Sequence, residues 1–73
     1  MTEKQKQEHA AFRDWLYSLS IIDYNKTCYR IQKECHVGKR AFDYWRAGKQ
    51  QPSWHCRRII NDIAGKQIYN LND

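Results

Sequence analysis

Apolar residues return at helical spacing in four segments of this chain, and nowhere do they alternate as a half-buried strand requires. A chain patterned this way buries its apolar faces only by packing helix on helix. The first segment, about residues 3–19, carries Phe12, Trp15, Leu16 and Leu19 at i, i+3, i+4 and i+7, one stripe of an amphipathic helix. Thr2 and Gln5 fit a capping box at its start. The second helix is expected over about 24–35, with Tyr24, Cys28, Ile31 and Cys35 on one face. Asp23, Asn25 and Thr27 are each able to cap it, and the preceding "SLSII" either ends the first helix or bridges the two. His36-Val37-Gly38 breaks the period. A third helix over 39–47 turns Ala41, Phe42 and Trp45 inward, with Val37 beneath its start, and stops at Gly48. Pro52-Ser53 opens a fourth over 53–64, capped by Ser53, with Cys56, Ile59, Ile60 and Ile63 inward and Gly65 at its end. The closing "KQIYNLND" holds Ile68, Tyr69 and Leu71, enough for one more helical turn at 66–71 or a docking strip. The expected fold is all-α: a compact bundle of four to five short helices forming one domain, 1–73.

Length and composition exclude several classes. A single core of 73 residues stabilises a fold by about 3–5 kcal/mol. No apolar run approaches the roughly 20 residues of a membrane span. "MTEKQKQEHA" lacks the apolar block of a signal peptide, so the expected location is the cytoplasm. Three cysteines, an odd number, suit a reducing compartment, and Cys28, Cys35 and Cys56 are expected as free thiols. The pairs Cys35-His36 and His55-Cys56 do not have zinc-ligand spacing, because adjacent side chains on a helix diverge by about 100°. No metal or other cofactor is expected. There is no glycine-rich phosphate loop, no paired-carboxylate cleft and no Cys-His arrangement with an orienting third group, so neither catalysis nor a small-molecule substrate is expected. His9, His36 and His55 read as surface or turn residues.

Charge points toward a polyanion. Residues 26–58 hold nine Lys and Arg against Glu34 and Asp43, a net +7; the whole chain is +5, leaving −2 for the remainder. Phosphates reward clustered cations, so a nucleic acid is one expected partner and a merely solvated surface the other reading; the helix pattern makes double-stranded DNA the expected partner. Two short helices joined by about three residues, the second carrying cations outward, make a helix-turn-helix signature. With Phe42 inward, Arg40, Asp43, Tyr44 and Ala47 project away from the core, and Lys39 and Arg46 lie on one flank. Arg40 suits the N7 and O6 acceptors of guanine. Tyr44 is able to stack on a thymine methyl or bond a phosphate. Asp43 either accepts from cytosine N4 or holds Arg40 or Arg46 by a local pair. Arg46, on the flank, is expected at the phosphates.

From Thr27 to Ser53 the sequence resembles the Cro/CI-type helix-turn-helix of phage repressors and small bacterial regulators. The matching positions are Thr27, Ile31, Val37 after the turn, Phe42, Trp45, Gly48, Lys49 and Pro52-Ser53, aligned without gaps; "W-R-x-G-K-x-x-P-S" is the most specific piece. The resemblance implies an all-helical, usually dimeric domain that reads operator DNA with its third helix. It implies Lys39, Arg40 and Tyr44 at the bases, and Thr27, Cys28, Gly48 and Lys49 by the phosphates. Where the family usually has Ala within the second helix this chain has Gln32, so that side chain leans out or the helices cross more widely. Where the family usually has Gly at the turn it has His36. The expected role is a nucleoid-associated transcriptional regulator, a repressor, with a homodimer allowed. The alternatives are an architectural or recombination factor, or a protein-binding adaptor using Trp54, Tyr69 and Leu71, which equally serve to close the core or a dimer seam.

Overall fold

Thr2 and Gln5 start the first helix by satisfying each other's backbone. In the computed structural model, the Thr2 hydroxyl accepts the Gln5 N–H at 3.2 Å and Gln5 Oε1 accepts the Thr2 N–H at 3.0 Å. The structure describes residues 2–71, so Met1, Asn72 and Asp73 of the expected 1–73 domain lie outside the described residues. Helix α1 runs Glu3–Tyr17, two residues shorter than expected. Ser18 ends it: its hydroxyl donates to Trp15 O at 2.6 Å, and its N–H goes back to Asp14 O and Trp15 O.

Helix α2 spans Ile21–Cys35, three residues earlier than the sequence led us to expect. Its cap is Ser20, whose side chain accepts the Asp23 N–H at 3.2 Å, rather than Asp23, Asn25 or Thr27. "SLSII" therefore divides: Ser18 closes α1, Leu19 bridges, Ser20 opens α2, and the two isoleucines form its first turn. Their apolarity is misleading, because Ile21 is 82% and Ile22 67% exposed. Helices α3, Lys39–Ala47, and α4, Trp54–Ala64, lie where the periodicity puts them, and the Ser53 hydroxyl caps α4 through Cys56 N–H. Four helices and no strand occur among the described residues.

No fifth helical turn forms at 66–71. The backbone there is claimed by side chains from elsewhere. Asn61 Oδ1 accepts the N–H groups of both Ile68 and Tyr69 at 2.9 Å, and Asn61 Nδ2 donates to Tyr69 O at 2.8 Å. Glu8 Oε2 accepts the Asn70 N–H at 2.8 Å, and Trp54 Nε1 donates to Leu71 O at 3.3 Å. The segment is a strap that lays Ile68 and Tyr69 into the core, the docking alternative.

Phe12 lies in the middle of that core. Its ring meets Trp15, Phe42 and Tyr69 at centroid separations of 6.2, 6.1 and 5.9 Å, tilted or edge-on, as aromatic quadrupoles prefer. Helix α2 packs on α4, and α3 packs on both α1 and α2. Where α2 meets α4, Ile31 and Cys35 face Cys56 and Ile60, all buried. The three cysteines are free thiols. Burial, and then the neighbouring Cys56 thiol, push Cys35 up to about 12, so it stays protonated and acts as a small apolar residue. The radius of gyration, 11.3 Å, is what close packing gives a chain of this length, about 11 Å.

Three residues, His36–Gly38, join α2 to α3. His36 adopts the left-handed conformation, φ 55° and ψ 43°. This lets Val37 N–H reach Gln32 O and His36 N–H reach Lys33 O, satisfying two carbonyls at the end of α2. Gly48, φ 79°, does the same for α3: Lys49 N–H bonds Tyr44 O and Gly48 N–H bonds Trp45 O.

Candidate nucleic-acid interface

Helix α3 has two opposed faces. Phe42 and Trp45 are inside, 1% and 5% exposed, with their rings 6.5 Å apart. Lys39, Arg40 and Ala47 are exposed, and Tyr44 is 42% exposed. Of the residues expected to read bases, Lys39, Arg40 and Tyr44 thus share the outer side of one nine-residue helix. Lys49 is exposed beside them and lines a shallow recess with Tyr44 and Gln50.

Asp43 and Arg46 are occupied with each other. Arg46 Nη2 donates to Asp43 Oδ1 at 3.0 Å, an i, i+3 pair with both side chains a little over a third exposed. Arg46 Nη1 donates to the Tyr24 hydroxyl of α2 at 2.7 Å. That hydrogen bond is the main reason the guanidinium is held still more firmly protonated than usual. Of the roles open to Asp43, the local pair with Arg46 is the one present in the free protein. Arg46 reaches outward less than its place in the sequence suggests.

Thr27 and Cys28 lie in the body of α2, because the helix starts at Ile21. Their backbone N–H groups are spent on the helix ladder and are not free for a phosphate. Both are half-buried. The Cys28 thiol faces an open groove of about 250 Å³ between α2 and α3, with Tyr24 and Gln32 on one wall and Lys39 and Asp43 on the other. Burial raises its pKa, partly offset by a hydrogen bond with Tyr24. Gln32 neither leans fully into solvent nor enters the core: it is half-buried along this groove, which has room for its side chain. The outer side of α2 adds Lys26, Arg30 and Lys33, all exposed; Arg30 pairs with Glu34 at 2.6 Å, and Lys33 lies 5.9 Å from the Tyr29 ring centre.

Two residues of α1 hold the elements behind this surface: His9, expected at the surface or in a turn, and Glu8, for which no role is expected from the sequence. His9 is not a free surface residue: it is half-buried, and its Nε2 contacts Arg46 O, at the last turn of α3, at 2.8 Å. Glu8 is buried; its Oε1 accepts from Gln51 Nε2 at 3.3 Å in the α3–α4 loop, while Oε2 holds the C-terminal strap. The signal for both was spacing. Glu8 and His9 stand four and three residues before Phe12, on the edge of the apolar stripe, where a polar residue is drawn inside when it has partners. His55 is exposed.

Among the described residues no three His, Cys, Asp or Glu side chains are grouped to hold a metal ion. No helix among them is long and apolar enough to cross a membrane. No protein-family model, curated protein or solved structure matches this chain.

Proposed function

We propose that this chain is a sequence-specific double-stranded DNA-binding regulator of transcription, acting as a repressor, in which α2 and α3 form a helix-turn-helix and α3 enters the major groove. The observation that carries the reading is the division of α3: Phe42 and Trp45 are locked in the core while Lys39, Arg40 and Tyr44 stand outside on the same short helix. A helix with its side chains is about 10–12 Å across, and a major groove about 12 Å wide accepts it. The net +7 of residues 26–58 supplies the long-range attraction.

In this reading Arg40 takes the guanine edge, Lys39 reaches a neighbouring base from the first turn, and Tyr44 meets a thymine methyl or a phosphate. The Lys49 side chain lies along the phosphates, while the N–H of Gly48 before it is bonded to Trp45 O. Asp43 serves chiefly to hold Arg46. Selected sites with twofold symmetry and half-sites one helical turn apart would mark a homodimer.

A protein-binding adaptor remains as a second reading, on a surface other than the one the sequence suggests. Tyr69 is buried and Trp54, though half exposed, bonds Leu71 O, whereas Tyr17, Ile21 and Ile22 stand well exposed where α1 gives way to α2. Selection of bound duplexes from a randomised pool separates the two. A regulator enriches a defined site, and Arg40→Ala then relaxes the preference at one base pair by about 1–3 kcal/mol. Enrichment of no sequence would remove the regulator reading, and a specific-to-nonspecific ratio unmoved by Arg40→Ala would remove the role given to that residue.

A further inference from the structure

Arg46 is gripped from two sides, by two different helices. On one side its carbonyl oxygen sits 2.8 Å from His9 Nε2 of α1. A carbonyl only accepts, so this nitrogen carries the proton. On the other side its guanidinium donates to Tyr24 of α2 and to Asp43 of α3 itself. The imidazole reaches the carbonyl only because residue 48 is glycine. A Cβ there would lie 2.8 Å from His9 Cε1 and 3.0 Å from both ring nitrogens. Gly48 is thus required twice, for its φ of 79° and for the ring packed against it.

At the opposite end of α3 the helix is anchored by the packing of the Phe42 ring on Phe12 and, among the described residues, by no side-chain hydrogen bond of this kind. Gly38 opens the helix with no side-chain hydrogen bond. From Arg40 to Arg46 the helix rises about 9 Å. A rocking of about 10° about the gripped end therefore moves the Arg40 backbone by about 1.5 Å, well outside the roughly 0.5 Å tolerance of an oriented contact. A bidentate guanidinium does not survive that displacement, whereas a flexible Lys on a phosphate follows it.

We infer that His9 is a positioning residue for base reading: with Tyr24 it clamps the last turn of α3 and so sets where Arg40 meets a base edge. The inference rests on the DNA-reading function proposed above. His9 itself touches no base; it lies behind the helix, half-buried between α1 and Gly48. Its contribution is selectivity rather than attraction, which separates it from a residue that merely stabilises the fold.

The test compares two duplexes, one enriched from a randomised pool and one with the same bases scrambled, at a temperature where circular dichroism shows every variant folded. His9→Ala should lose about tenfold on the selected duplex, the discrimination carried by one oriented base contact, and nothing on the scrambled one. His9→Gln, whose amide is able to donate to the same carbonyl, should keep most of the selectivity. Tyr24→Phe, which releases the guanidinium without emptying the core, should lower selectivity in the same direction. A folded His9→Ala with the parent's ratio, or with equal losses on both duplexes, overturns the inference. Should His9→Ala fail to fold, an unchanged ratio in Tyr24→Phe overturns it instead. A parent protein that binds the two duplexes alike brings down the proposed function and this inference together, a result distinct from a selective parent with indifferent variants.

Discussion

His36 closes α2 in a conformation that costs an L-residue roughly 1 kcal/mol more than it costs glycine. It stays there because two hydrogen bonds at the helix end depend on it: Val37 N–H to Gln32 O, and His36 N–H to Lys33 O. The imidazole is exposed, and among the described residues no side-chain hydrogen bond holds it. His36→Gly should therefore stabilise the protein by no more than about 0.5 kcal/mol, once the extra freedom of glycine in the unfolded chain is subtracted. For a domain of this size that is a rise of a few degrees at most in Tm, at about 4–8 °C per kcal/mol, with an unchanged urea slope. A fall would show that the imidazole makes a contact worth more than the backbone strain. The glycine two residues on does a different job. Gly38 sits at φ −86° and ψ 177°, which any residue adopts, and a Cβ there would meet nothing within 4 Å. A glycine close to a turn is thus a poor guide to which residue turns left-handed.

At the scale of elements, the helices and the strap obey different rules. The helices were legible because each needs only its own stripe, and Phe42 and Trp45 face inward as spacing alone indicates. The start of α2 was not, since Ser20 is one of several capping residues in the neighbourhood and Ile21-Ile22 look like core while standing in solvent. The strap was illegible for another reason: it is held by polar groups distant in sequence, Glu8 and Asn61, which no local period announces. Of the candidate interface, the outward set Lys39, Arg40 and Tyr44 could be read from the helix projection. The hold of Tyr24 and His9 on Arg46 could not, because it depends on how three helices meet. Asn61 carries the clearest prediction at this scale. Its amide makes three bonds to the backbone at Ile68 and Tyr69, and Asn61→Ala leaves two N–H groups and a carbonyl without those partners, at a cost of about 2–4 kcal/mol. Hydrogen exchange should show the amides of residues 68–70 losing protection ahead of those of α2 and α4. Loss at the same rate throughout would mean that the strap and the helices open as one unit.

For the whole molecule, charge decides how the surface is met before any geometry is tested. Nine cations stand between residues 26 and 58, but they are not equivalent. Arg30 is paired with Glu34, Arg46 is shared between Asp43 and Tyr24, and Arg57 donates to Pro52 O. Lys39, Arg40 and Lys49 are exposed and appear in none of these pairs. Each cation that neutralises a phosphate releases counterions and adds about 0.9 to the slope of log K against log salt. A face built on three to five such contacts should therefore give a slope of about −3 to −5 on a nonspecific duplex. Lys49→Ala should flatten it by about 1 and weaken all sequences alike. Arg46→Ala should leave that slope where it is, because its guanidinium is already spent inside the protein, while lowering thermal stability through the loss of its contacts with α2. The reverse pattern, a slope altered by Arg46→Ala and not by Lys49→Ala, would mean that the Asp43–Tyr24 pairing opens when DNA binds and that Arg46 turns outward to a phosphate. A slope near zero in the parent would direct attention instead to the exposed, uncharged Tyr17, Ile21 and Ile22, since apolar contacts release no counterions.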